Sequence, residues 1–190
     1  NKRIYVSYTD EIKKDCWNIS VIYGDINYER ISFKKLFSPK NCIHSKDNLD
    51  KEFTASQTGG RMISFDDNQI LLTTGEFRSR YHAQDDQSIN GKLIKININS
   101  KEYEIISMGH RNQQGLYFDK ENNFILASEH GPQGGDEINL IEVNKIDEDK
   151  IQNFGWPIAS EGDHYGGKVE RNKKKYEKYP LPSSHSKHGF

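Results

Sequence analysis

The sequence predicts an all-β protein whose antiparallel hairpins repeat as the blades of a β-propeller. Three observations predict it. Short runs of alternating apolar and polar residues recur along the chain, the period of half-buried strands. Helical periodicity is nearly absent, with one turn expected in "DEDKIQNFG" (147–155). Two hairpins, "ISFDDNQILLTTGE" and "LYFDKENNFILASEHG", share one design: an apolar strand, an Asp turn, a second apolar strand and a Gly-bearing loop. They lie about 50 residues apart, the length of one blade.

In chain order, "RIYVSY" (3–8), "WNISVIY" (17–23) and "RISFKKLF" (30–37) read as strands. Residues 38–60 are polar and read as a loop. Strands resume at 61–66, 69–74, 91–98, 102–107, 115–118, 124–128 and 137–143. The turns between paired strands carry Asp and Asn, whose side chains hydrogen-bond nearby backbone and tolerate left-handed geometry. Equivalent strand ends of a propeller emerge on one face, so the loops "TTGEFRSRYHAQDDQS" and "SEHGPQGGDE" are expected to converge near its axis.

The 190 residues carry 27 Lys and Arg against 28 Asp and Glu. This balance gives no overall attraction to nucleic acid or to an anionic membrane surface. No apolar run is long enough for a transmembrane helix. Mean hydropathy is low, at −0.91, but two Trp, ten Tyr and nine Phe argue for a packed core over disorder. Cys16 and Cys42 are the only cysteines. Two buried free thiols are the preferred reading, with one disulfide in an oxidising compartment as the alternative.

Three stretches carry candidate chemistry. In "SMGHRNQQGLYF" (107–118), Arg111 and Asn112 offer fixed donors suited to carboxylate or quinone oxygens; a purely structural Arg is the alternative. In "SEHGPQGGDEINLI" (128–141), the Gly131 and Pro132 carbonyls and the Asp136 and Glu137 carboxylates are hard oxygen ligands of the kind Ca²⁺ takes; a capped turn with solvated acids is the alternative. In "NFGWP" (153–157), Trp156 reads as an aromatic core plug.

The ordered set "TGGRMISF … LLTTGE … AQDDQSINGKLIKINI … GHRNQQGL … SEHGPQGGDEINLI … NFGWP" resembles the soluble glucose/sorbosone dehydrogenases, and among them the aldose sugar dehydrogenases. The match is specific over about residues 57–157 and looser over 1–37. The resemblance implies a six-bladed β-propeller that oxidises sugars with pyrroloquinoline quinone (PQQ) and calcium, in a periplasmic or secreted setting. It also implies that Arg111 and Asn112 contact PQQ and that the Gly131 and Pro132 carbonyls hold its calcium. Asp136 and Glu137 would hold a second calcium. The guanidinium of Arg111 is then expected to face the carbonyls of residues 131 and 132 across a ligand-sized gap.

The family's general base is a histidine just ahead of its "GGR" motif. Here that position is Gln57, in "SQTGGR", and an amide has no useful basicity. His44, His82 and His130 are the loop histidines that could stand in. Two functions follow: a PQQ- and calcium-dependent aldose dehydrogenase with a relocated base, or a non-catalytic propeller that binds a carbohydrate or protein partner. The electron acceptor is not specified by these motifs. Residues 1–190 are expected to form roughly three blades, a fragment of one larger domain. The basic stretch 168–190 is expected to lack a closing strand, with its Lys-rich run 173–178 a solvated loop.

Overall fold

The computed structural model describes residues 2–162 apart from 28, 49, 51 and 147–149. The C-terminal expectations for 168–190 therefore lie outside the described residues. Three antiparallel sheets follow one another along the chain. The first contains β1 (Arg3–Lys13), β2 (Cys16–Asp25), β3 (Lys34–Phe37) and β4 (Ile43–His44), with β3 and β4 both paired to β2. The second contains β5 (Gly59–Ser64), β6 (Gln69–Thr74), β7 (Lys92–Asn97) and β8 (Tyr103–Met108). The third contains β9 (Gln113–Asp119), β10 (Phe124–Glu129) and β11 (Glu137–Glu142). A short β12 (Gln152–Asn153) returns to pair in parallel with β8.

The first strands of the sheets lie together, with β5 beside both β1 and β9. This is the inner-strand arrangement of a propeller, and the described residues supply three blades of it. The middle blade is buried on both faces. Alternate residues of β6 and β7 divide between two cores: Ile70, Leu72, Ile94 and Ile96 pack towards the first sheet, while Leu71 and Leu93 pack towards the third. That two-sided burial explains why "QILLTT" reads as a continuous apolar run without polar alternation. On the third sheet, Ile125, Ala127 and Ile141 join the second core, whereas Tyr117, Ile138 and Leu140 are exposed.

The repeated turns work as their composition predicts. Asp66 Oδ1 accepts the Asn68 N–H, and Asp119 Oδ1 accepts those of Glu121 and Asn122. Several boundaries differ. β1 runs on through the polar "TDEIK" because the long hairpin with β2 pairs it there. The strand expected over 30–37 is confined to Lys34–Phe37. The expected loop 38–60 contains β4. Residues 147–149 of the helical turn expected over 147–155 lie outside the described residues; before them the chain makes a 3-10 turn at Val143–Lys145, and after them it forms β12.

Cys16 and Cys42 form a disulfide, which corrects the preferred reading of two free thiols. The two residues are brought together because β4 pairs with the start of β2, Cys16 opposite His44. The bridge closes a loop with a sequence separation of 26 residues. Reduction, or the Cys16→Ser variant, is expected to destabilise the fold by about 3.5 kcal/mol through loop-closure entropy. Urea unfolding with and without reductant checks this; equal midpoints would show that the bridge does not restrain the unfolded chain.

Candidate functional site

The chain folds its motif loops onto one end of the sheets. Gln57 precedes β5, Arg111 and Asn112 precede β9, and residues 130–136 connect β10 to β11. Gln57, Arg111, Asn112, residues 130–134 and Asp136, together with Ser56, line a single pocket of about 610 Å³. Gln57, Arg111, Asn112, Gly131, Pro132 and Asp136 are thus brought together. Glu137 is not in the pocket; it sits in β11, opposite Glu129 of β10.

Two glycines make the approach possible. A Cβ on Gly75 would fall 2.2 Å from the Gln57 carbonyl, so only glycine lets β6 run this close to the Gln57 backbone. A Cβ on Gly131 would fall 1.7 Å from the Gly135 carbonyl, and this lets the loop close on itself. Just after β6, Phe77 and Arg78 both adopt left-handed φ, at 55° and 58°. Such geometry is uncommon for side chains of this size. Phe77 is fully buried and stacks on Phe53, which holds the bend in place.

Arg111 is the hub. Its Nη1 donates to the carbonyls of His130 (2.8 Å) and Gly131 (2.7 Å). Its guanidinium carbon lies 5.5 Å from the Trp156 ring centre. Trp156 is buried beneath it as the expected plug. The expected ligand-sized gap between Arg111 and Gly131 is not present: the guanidinium reaches the carbonyl directly. Physically, a guanidinium carries donors only, and these two carbonyls are acceptors within its reach. Asn112 is fixed by its Oδ1, which accepts the Gly59 N–H (3.0 Å) and Gln114 Nε2 (2.9 Å).

The Gln57 amide is oriented by the charges on either side of it. With the amide oxygen assigned to the Arg111 side, the orientation that satisfies both amide atoms, Oε1 accepts from Arg111 Nη2 at 3.0 Å and Nε2 donates to Glu76 Oε1 at 2.9 Å. Glu76 was not apparent from the sequence, although it closes the "LLTTGE" motif. It is fully buried. Burial pushes its carboxyl up to about 8, against the opposing pull of Arg111.

A second network was also missed. His110 lies 2.8 Å from both Ser107 Oγ and Glu129 Oε2. The order serine, histidine, acid is that of a hydrolase triad. Here, however, Ser107 and His110 have no exposed surface, so no substrate reaches them. The chain acts as a strut: Glu129 Oε1 also accepts the Arg111 N–H (2.9 Å), and Oε2 accepts Asn139 Nδ2 (3.1 Å). The signal was present in the sequence, since His110 and Glu129 directly precede Arg111 and His130.

The three loop histidines fare differently. His44 lies outside the pocket and accepts the Lys46 and Asp47 N–H groups in its own turn. His82 packs against Tyr81 with the two rings tilted, and burial pulls its imidazole down to about 4. Its carbonyl is one of three, with those of Ala83 and Asn90, that accept from the buried Lys92 ammonium. Only His130 lines the pocket, with its Nδ1 3.6 Å from Asp136 Oδ2.

For a cation, the loop offers carbonyl oxygens more than carboxylates. Gly131 O already accepts from Arg111, and Pro132 O accepts the Gly135 N–H at 2.9 Å. A carbonyl oxygen has two lone pairs, so each keeps one. Asp136 Oδ1 accepts the Gly131 N–H at 3.1 Å. Among the described residues there is no group of three or more His, Cys, Asp or Glu side chains placed to hold a metal. A calcium here would need further oxygens from outside this loop.

Comparison with known proteins gives a consistent result. The family model for glucose/sorbosone dehydrogenase matches residues 1–188. The chain is 28% identical over 180 residues to the aldose sugar dehydrogenase YliI of Escherichia coli K12, covering 88% of this chain and 45% of the relative. The crystal structure of the soluble E. coli aldose sugar dehydrogenase in its apo form superposes with a TM-score of 0.68 at 28% identity, covering 87% of this chain and 48% of that one. The PQQ-bound aldose sugar dehydrogenase of Streptomyces coelicolor shares the fold, with a TM-score of 0.64 at 22% identity over 87% of this chain and 46% of that one. The chain therefore spans about half the length of these relatives. With the blade topology, the pocket-lining motifs and a family match over nearly the whole sequence, the chain belongs to the glucose/sorbosone dehydrogenase family.

Proposed function

We propose that the protein containing this chain oxidises aldose sugars using PQQ and calcium. The observation that carries the proposal is the convergence of Gln57, Arg111, Asn112, Gly131 and Pro132 on one pocket. The pocket fits the cofactor's chemistry: a tricarboxylated quinone needs cationic donors, and Arg111 supplies a planar fork held over Trp156. When bound, the quinone supplies the two-electron acceptor for hydride, and calcium polarises it. Arg111 would orient a carboxylate or quinone oxygen, with Asn112 beside it. The second lone pairs of the Gly131 and Pro132 carbonyls would hold the calcium, and Asp136 and Glu137 a second one. Gln57 takes the position of the family's base but lends its amide as a hydrogen-bonding group only. A periplasmic or secreted location agrees with the Cys16–Cys42 disulfide.

The test is reconstitution of the full-length protein with PQQ and Ca²⁺, followed by dye reduction with a panel of aldoses. The expected result is a shift in cofactor absorbance together with turnover. Absence of both overturns the proposal. Binding without turnover favours a non-catalytic propeller, the function that Gln57 would suit. The Gln57→His variant is expected to raise turnover by about 10²-fold or more, the range of a positioned general base. Its imidazole would stand beside Glu76, which already holds the side chain at this position.

A further inference from the structure

Glu76 stands directly behind the pocket wall, and no step above uses it. It follows Gly75 at the end of β6 and is fully buried. Its Oε1 accepts from Gln57 Nε2 at 2.9 Å and from the Arg78 N–H at 3.1 Å. Its Oε2 has no hydrogen-bond partner among the described residues. Buried carboxyl oxygens are seldom left this way, and each such case calls for an explanation. Glu76 also borders a void of about 10 Å³, the room that one water molecule needs. Glu52, Arg78, Arg80, Arg111 and Trp156 form other walls of that void, and Arg111 is a wall of the main pocket as well.

Building on the dehydrogenase reading, we propose that Glu76 is the proton acceptor for the sugar oxidation, reached from the pocket through one water molecule in this void. The substrate O–H bond breaks and its proton passes to the water, which gives a proton to Glu76 Oε2. The C–H bond breaks with its electron pair, which leaves as hydride to the quinone, and the C–O bond becomes a carbonyl. Gln57 holds Oε1 in place while Oε2 takes the proton. This supplies the base that an amide at position 57 cannot.

The environment suits the task. Desolvation is the largest influence on Glu76 and pushes it up to about 8; Arg111, the Arg78 N–H and Arg80 oppose this, and Asp50 adds to it. The charged groups facing it are Arg111 from the loop ahead of β9, Arg78 and Arg80 from the stretch after β6, and Asp50 and Glu52 from the segment ahead of β5. An acceptor is most effective with a pKa near the working pH.

The test uses the full-length protein loaded with PQQ and Ca²⁺, comparing wild type with Glu76→Gln and Glu76→Asp. Glu76→Gln is expected to bind PQQ within about threefold of wild type while turnover falls by about 10²-fold or more. The wild-type rate should rise with pH to a plateau above about 8, and that limb should be missing from Glu76→Gln. Glu76→Asp should keep the limb at a reduced rate.

A second readout needs no turnover. Because the folded-state pKa is raised, stability is full below about pH 4.5 and is lost as pH rises through about 8. Urea unfolding of the unloaded protein should show this slope in wild type and not in Glu76→Gln. An active wild type with Glu76→Gln equally active overturns this proposal alone. A wild type that binds PQQ but oxidises no aldose overturns the dehydrogenase reading, and this proposal with it. If Glu76→Gln fails to fold, Glu76→Asp decides: a pH limb unchanged in position and rate overturns the assignment.

Discussion

Replacing Arg111 with Ala is expected to weaken PQQ binding by about 10²-fold or more and to destabilise the fold by about 3 kcal/mol. The size follows from how many groups the guanidinium serves. It donates to the carbonyls of His130 and Gly131 and to Gln57 Oε1, and it lies over Trp156. Arg111 is 5% exposed, so water reaches these acceptors poorly once the side chain is gone. Glu76 would also lose the strongest cation opposing its desolvation. Lys is not expected to rescue the variant, because an ammonium cannot present a planar fork to several acceptors. Absorbance titration with PQQ and urea unfolding measure the two effects. Tight binding by Arg111→Ala would remove Arg111 from the cofactor site.

The Glu129→Ala variant is expected to be the most damaging change away from the pocket, at about 3–5 kcal/mol. It leaves His110 Nδ1, the Arg111 N–H and Asn139 Nδ2 without their shared acceptor. His110 is fully buried and stacks on Phe154, so it cannot turn to water. Glu129→Gln retains one carbonyl acceptor and is expected to cost less. Because the carboxylate fixes the backbone of Arg111, both variants should also weaken PQQ binding. Unfolding midpoints within about 0.5 kcal/mol of wild type for Glu129→Ala would show that the strut carries no load.

Much of the blade pattern was legible because its signals are local. The alternation in "WNISVIY" and "GKLIKINI" reports which residues face a core, and a strand needs only its own period to show that. The Asp66 and Asp119 turns bond within two or three residues of themselves, so composition alone exposes them. β4 was missed for the converse reason: two residues, Ile43 and His44, are too few to show a period, and only pairing with β2 defines them. The disulfide depended on that pairing and was misjudged with it.

The candidate site divides along the same line. Arg111, Asn112, Gly131 and Pro132 stand in compact motifs, so the residue types that could bind a quinone or a cation were visible in the sequence. Their arrangement was not. Arg111 reaches Gly131 across 20 residues of sequence, Asn112 reaches Gly59 across 53, and Glu76 meets Gln57 only because Gly75 admits the other backbone so closely.

The sequence by itself determined most of the longer strands, the Asp turns and the chemical vocabulary of the loops. Only the tertiary structure decided which loops share a pocket, that Arg111 rests on a carbonyl instead of facing it across a gap, and that a buried glutamate backs Gln57. The physical reason is that a repeating pattern encodes which way a side chain points relative to its own strand. What a buried charged group touches depends on where separate strands end, and the packing of whole sheets sets that.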